Sequence, residues 1–258
     1  MYQPPSPDQP YAPRMPELSA KAELALLARA LDRIGYRDRI AGHITYRQDD
    51  GTLLTNPVRL RWDELRAADI MRIDTDGNVL EGPWTITPAI AMHLALHHAR
   101  HDIRVAVHNH PQWSTIWADM HRVPPVYDQT SALVVGEVAV YDEYGGTFVD
   151  EINAKSAVEA LGDANSQLLA NHGVLVVAPS IDLAYHRCHA LEWRSKMAWH
   201  VEVAGGGVPL KPDVARAVGA RFAEKPMIGL WESAARREID ADPAVLATEH
   251  RRTVLDRP

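Results

Sequence analysis

The chain has 258 residues, 46% of them hydrophobic and 24% charged, and a net charge of −7 with its histidines neutral. That length allows one large α/β domain or two small ones, and the composition is that of an ordinary soluble globular protein whose core needs no covalent staples. The single cysteine, Cys188, excludes an internal disulfide framework and suits a reducing, cytoplasmic setting. The acidic balance argues against nucleic acid or an anionic membrane as partner, and no apolar run approaches the roughly 18 residues of a membrane span.

Residues 1–16 carry five prolines before Arg14 and lack the basic-then-apolar pattern of a leader. They read as a flexible arm, or as one that drapes over a neighbouring subunit. A domain over 17–240 follows, with 241–258 as a loosely held tail. Its first element is a helix over Leu18–Ile34, with Ser19 as cap and Leu24, Leu27, Leu31 and Ile34 on one apolar face. Strands are expected over Ile40–Arg47 and Thr52–Thr55. Another pair, Ile70–Asp74 and Asn78–Leu80, is joined by the hairpin signal Asp76-Gly77. Pro88 suits the first turn of a helix running from about Ala89 to Arg100. Ile103–His110 reads as a strand stopped by Pro111, and Leu133–Tyr141 as another. A short helix over Lys155–Leu161 and an extended segment over Gln167–Val177 come next. A long helix over Ile181–Val203 ends at Gly205-Gly206-Gly207. Pro212–Ala223 and Pro226–Ile239 read as helices. Strands dominate the middle without regular βα alternation, so a single domain with a central, mainly antiparallel sheet fits best. There is no glycine-rich phosphate loop and no dinucleotide fingerprint.

Thirteen histidines each require weighing. His93, His97, His98 and His101 lie in or just after one helix, where a solvated face or a bonded core position is commoner than a ligand set. His108-Asn109-His110-Pro111 differs. Residues two apart on a strand share a side, so both imidazoles can converge on one ion while Asn109 turns away. Two unrelated surface histidines remain the plain alternative. Asn171-His172-Gly173 interrupts an apolar strand and offers a third imidazole, with Gly173 permitting a bulge or close approach. Three neutral imidazoles suit zinc, manganese, iron, cobalt or nickel and leave coordination positions open. Trp113, Trp117 and Met120 either form an apolar wall for a flat substrate or, as their spacing equally allows, a helix face packed into the core.

The pair HNHP and LLANHG resembles the signature of class II aldolase/adducin domains. The likeness extends to Gly42–Arg47, to Asp69–Asp74 with Gly77, and to Ala184–Glu192, covering about residues 20–205. The resemblance implies an α/β/α domain with a central antiparallel sheet, usually a homotetramer with sites between subunits. It also implies one divalent metal ion per subunit on His108, His110 and His172. Sugar-phosphate aldolases of the family carry P-S-S-E before the helical histidine, here His93. This chain has Ile86-Thr87-Pro88-Ala89. Ala89 cannot abstract a proton, Pro88 offers neither hydroxyl nor N–H, and His43 replaces an asparagine that helps hold the phosphate.

A phosphate-sugar aldolase is therefore disfavoured. Decarboxylation needs the same electron sink as aldol cleavage and no base to remove a C–H proton. The expectation is a decarboxylase of a hydroxylated aromatic acid or a carboxylated ring-cleavage product, by analogy with non-phosphate relatives. His43 is the first candidate for the acid that protonates carbon, and Tyr127 the second. Arg47 is a candidate for pairing with a second carboxylate, and Thr87 for donating a hydrogen bond. Each has a plain structural alternative: a bonded core histidine, packing, an ion pair and a helix cap respectively. The rival readings are an aldolase on a non-phosphorylated hydroxy-oxo substrate, an iron(II) oxygenase and an adducin-like non-catalytic module. No motif suggests a protein partner beyond copies of the chain itself.

Overall fold

A computed structural model describes residues 15–250, apart from 135–137, 144, 147–150, 225, 226 and 228. The expected N-terminal arm, up to residue 14, and the end of the expected tail, 251–258, lie outside the described residues.

Helix α1 (Ala20–Ile34) starts at Ser19, whose hydroxyl accepts from the Ala22 N–H, and stops at Gly35, which takes φ 119°. Leu24 through Leu31 are buried without interruption. More than one face is covered because α1 packs against two later helices, α5 (Ile181–Val203) and α7 (Leu230–Ala241), and the short turn Trp62–Glu64.

Eight strands form one sheet: β1 (His43–Arg47), β2 (Leu53–Thr55), β3 (Met71–Ile73), β4 (Val79–Glu81), β5 (Val105–Asn109), β6 (Val138–Tyr141), β7 (Ser166–Leu169) and β8 (Gly173–Ala178). Their order is β4-β3-β2-β1-β5-β8-β7-β6. Every neighbouring pair is antiparallel except β6 and β7, which are parallel and joined through helix α4 (Glu151–Leu161). The sheet is thus mixed, with its one parallel pair at an edge.

Strand alternation sorts the core into two layers. Val105, Val107, Val174 and Val176 face α1 and α5. Ala106, Leu175 and Val177 face helix α2 (Ala91–Ala99) and α4. His43 pairs with His108 and Thr45 with Ala106 across β1 and β5, so all four residues belong to the α2 side. The ends of β1 and β5 therefore deliver imidazoles to one place.

Several expected elements shift. β1 begins at His43 rather than Ile40, because Arg39 and Gly42 adopt positive φ and turn the chain just before it. Of the expected strand Leu133–Tyr141, Leu133 and Val134 belong to a 3-10 turn, Ser131–Val134, residues 135–137 lie outside the described residues, and Val138–Tyr141 is strand β6. The Asp128 carboxylate holds the Ser131 N–H and hydroxyl and winds the chain there. Gln167–Val177 is a hairpin, β7 and β8, with His172 in its turn. The long helix spans the expected Ile181–Val203, followed by α6 (Pro212–Glu224) and α7. The start of the expected tail is packed: Val245 is buried and the Ala247 carbonyl accepts from Ala68 N–H. Among the described residues no helix is long and apolar enough to cross a membrane.

Candidate metal centre

His108 lies on the last turn of the β5 pleat, buried, and its Nδ1 donates to the Val174 carbonyl at 2.9 Å. That bond leaves Nε2 as the lone-pair nitrogen. His110 stands one residue past the strand, with Nδ1 on the Asp38 carboxylate. Its Nε2 is buried and has no hydrogen-bond partner. His172 enters from the β7–β8 turn, where Asn171 takes φ 54°. The three ring nitrogens lie within 4.8 Å of one another. Three converging imidazoles, with the His110 Nε2 buried and without a partner, fit a divalent ion.

Gly173 makes this convergence possible. A Cβ there would lie 2.5 Å from His110 Cδ2 and 2.6 Å from the Asn109 carbonyl oxygen, closer than any side chain tolerates. Helix α3 (Gln112–Asp119) begins directly after Pro111 and is anchored from below by α5. The buried Glu192 carboxylate accepts from Trp113 N–H at 3.0 Å, Ser114 N–H at 2.9 Å and the Ser114 hydroxyl at 2.6 Å. These are the orphan donors of a helix start, and the anion also suits the positive end of the helix.

His43 lies beside the cluster, its ring centroid 5.0 Å from that of His108 and 4.3 Å from that of His93. The ring donates to the Ala89 carbonyl, while Nε2 is buried without a partner. Burial, aided by His110 and His172, pushes its pKa down to about 3, so it is neutral at ordinary pH. Burial and neighbouring imidazoles likewise lower His172 to about 4 and hold His108 well below the usual histidine range.

Behind His43 runs a polar seam that sequence reasoning set aside. Thr45 Oγ1 bridges His93 Nδ1 and His97 Nε2, 2.8 Å from each. Both histidines are buried between α2 and the sheet and serve as bonded core residues. A bonded core position was one of the two plain readings for these histidines, but nothing local pointed to Thr45 as their partner.

Three other candidates stand elsewhere. Arg47 occupies the far end of β1 from His43 and donates to the His97 and His101 carbonyls at the end of α2. It clamps the end of that helix, at the opposite end of β1 from His43. Thr87 caps the turn Pro88–Ile90 by accepting from Ala89 N–H at 3.2 Å. Tyr127 packs against Gly207, beyond the C-terminal end of α5. Gly207 also abuts Val201, and that level of α5 is roughly 13 Å of helix from Glu192 under the centre. Within its own chain the structure places Tyr127 toward the C-terminal end of α5. Trp117 and Met120 pack into the core, with Trp117 Nε1 donating to the Ser195 carbonyl, so they form no wall; Trp113 lies against His200.

The family model described as Class II Aldolase and Adducin N-terminal domain matches residues 22–199. The chain belongs to the class II aldolase/adducin family. An adducin-related protein of Schizosaccharomyces pombe is 31% identical over 66% of this chain, which spans 55% of that relative's length. A 3,4-dihydroxyphthalate decarboxylase of Arthrobacter keyseri is 30% identical over 81% of this chain and 87% of its own. Among solved structures, an aldolase II superfamily protein from Pseudomonas syringae superposes with a TM-score of 0.78 at 26% identity, covering 87% of this chain and 94% of that one. The single α/β domain is thereby that of the family. Its relatives include both lyases and adducin-like members.

Proposed function

We propose that this chain is a divalent-metal-dependent carboxy-lyase acting on a hydroxylated aromatic acid or a carboxylated ring-cleavage product. The observation that carries the reading is the pairing of a three-imidazole centre with Ala89, whose carbonyl binds His43 beside that centre. A methyl group stands in the slot from which an aldolase would draw its base. Loss of carbon dioxide needs no such base. The likeness to a decarboxylase over most of both chains supports the same reading.

His108, His110 and His172 would hold the ion, which supplies a sink for the electron pair left when carbon dioxide departs. His43 carries the proton. Neutral, and with its other ring nitrogen engaged by Ala89, its Nε2 accepts the hydrogen of a substrate hydroxyl. As the carbon–carboxylate bond breaks, that proton passes to the carbon the carboxylate leaves, and the product hydroxyl regains a proton from solvent. The buried wall around His43 keeps bulk water from the transfer. The working form in this reading is a cytoplasmic homotetramer of the 28.7 kDa chain, checked by light scattering.

The test is a product assay. Metal-loaded protein is supplied with hydroxyaromatic acids, and carbon dioxide release is followed together with oxygen uptake. The reading expects release that requires metal and consumes no oxygen. Pyruvate or aldehyde formed from hydroxy-oxo acids without carbon dioxide would replace it with an aldolase, and oxygen uptake with an oxygenase.

A further inference from the structure

We propose that Asp38 is a positioning residue of the metal centre, fixing the tautomer and heading of His110 and so setting how tightly the ion is held. This rests on the reading of the three histidines as ligands. Each imidazole that binds through one nitrogen needs its other N–H directed, or the ring turns and the lone pair is lost. For His108 the sheet itself does this, through the Val174 carbonyl of β8. His110 has left the sheet and has no such backbone acceptor. Its Nδ1 meets the Asp38 carboxylate instead, from a residue 72 positions away.

The segment carrying Asp38 is itself held firmly. Two residues before it, Tyr36 is buried and donates its hydroxyl to the Cys188 carbonyl at 3.0 Å. The Ala41 N–H donates to the Asp38 carbonyl at 2.8 Å. Arg39 takes φ 53° and Gly42 φ 87°. A Cβ on Gly42 would lie 2.3 Å from Asn109 Nδ2, so this connection is pressed against the residue between the two ligands. The Asp38 side chain is 38% exposed, and water alone could solvate it. What its contact fixes is the half-buried imidazole. With Nδ1–H given to the carboxylate, Nε2 presents its lone pair, and that is the buried nitrogen left without a partner.

The experiment measures zinc dissociation constants of the metal-free full chain by competition with a chelating dye. The unaltered protein is compared with Asp38→Asn and Asp38→Ala, with thermal melts of all three metal-free forms alongside. Asp38→Ala should bind zinc about 10- to 100-fold more weakly. Asp38→Asn should lose less, because its Oδ1 still accepts the hydrogen bond without the charge. The three metal-free melts should coincide. Zinc affinity of Asp38→Ala within about twofold of the unaltered chain would overturn the proposal. So would a loss seen only where the metal-free melt has collapsed. An unaltered chain that binds no zinc, manganese or iron would instead remove the metal centre, and Asp38's role with it.

Discussion

At the residue scale, each imidazole at the centre is defined by what its second nitrogen does. His108 is held by a strand carbonyl and His110 by a carboxylate, while His43 is tied to Ala89 and keeps a buried Nε2 without a hydrogen-bond partner. Replacing His43 with alanine should therefore leave metal content unchanged. It should lower turnover at saturating substrate about 100-fold or more, the usual scale for a lost proton carrier. Unchanged turnover would remove His43 from the chemistry. That the HNHP imidazoles and His172 converge was legible because strand periodicity and a neighbouring glycine carry that information locally. Asp38 was not, since its contact with His110 is made only when the chain after α1 folds back on the end of β5. Arg47 and Tyr127 looked equally suitable by side-chain chemistry. Which end of β1 faces the centre, and what α5 covers, is tertiary information.

At the element scale, the centre depends on how closely β8 and α3 approach the end of β5. Gly173→Ala would drive a methyl group into His110 and the Asn109 carbonyl. The expected cost is about 1–3 kcal/mol of stability from overpacking, with a parallel fall in metal affinity. Urea unfolding and dye competition on the same variant check both, and unaltered values in both would contradict the packing account. Glu192→Ala would leave two amide N–H groups and a hydroxyl at the start of α3 without their acceptor. A loss of about 1–3 kcal/mol is expected in the same unfolding measurement. Strands with strict alternation and helices with cap signals could be located from the sequence, as at Ser19 and in β5. Ser131–Val134 could not, because an apolar run reads the same whether it extends or winds. There the Asp128 side chain decides.

At the scale of the whole molecule, one face of the sheet carries an apolar core against α1 and α5, and the other buries a row of neutral histidines under α2. Burial, reinforced by Arg47, holds His97 down at about 3, and burial holds His43 at a similar value. In the unfolded chain these groups return to about 6.5. Between those limits the unfolded state binds more protons than the folded one, so stability rises with pH. The metal-free protein should be most stable above about pH 6.5 and lose stability steadily as pH falls toward 3. His97→Gln should flatten that slope. Melting curves from pH 4 to 8 test this, and a flat profile would show that the histidines are solvated in the folded state. A single domain with a central, mainly antiparallel sheet was legible because hydrophobic periodicity is distributed along the chain, and the layering of helices on both faces came from the family resemblance. The parallel edge pair β6–β7 was not, since the crossover through α4 leaves no mark on either strand.

The central claim is that three histidines brought together from a strand end and a hairpin turn hold a catalytic divalent ion. Elemental analysis of the purified protein beside His172→Ala tests it most directly. The account predicts about one divalent ion per chain in the unaltered protein and its loss in the variant, the open three-imidazole arrangement being a single-ion site. An unaltered protein that holds no metal and takes up none of zinc, manganese or iron when offered would contradict it, and the fold would then serve as an adducin-like binding module.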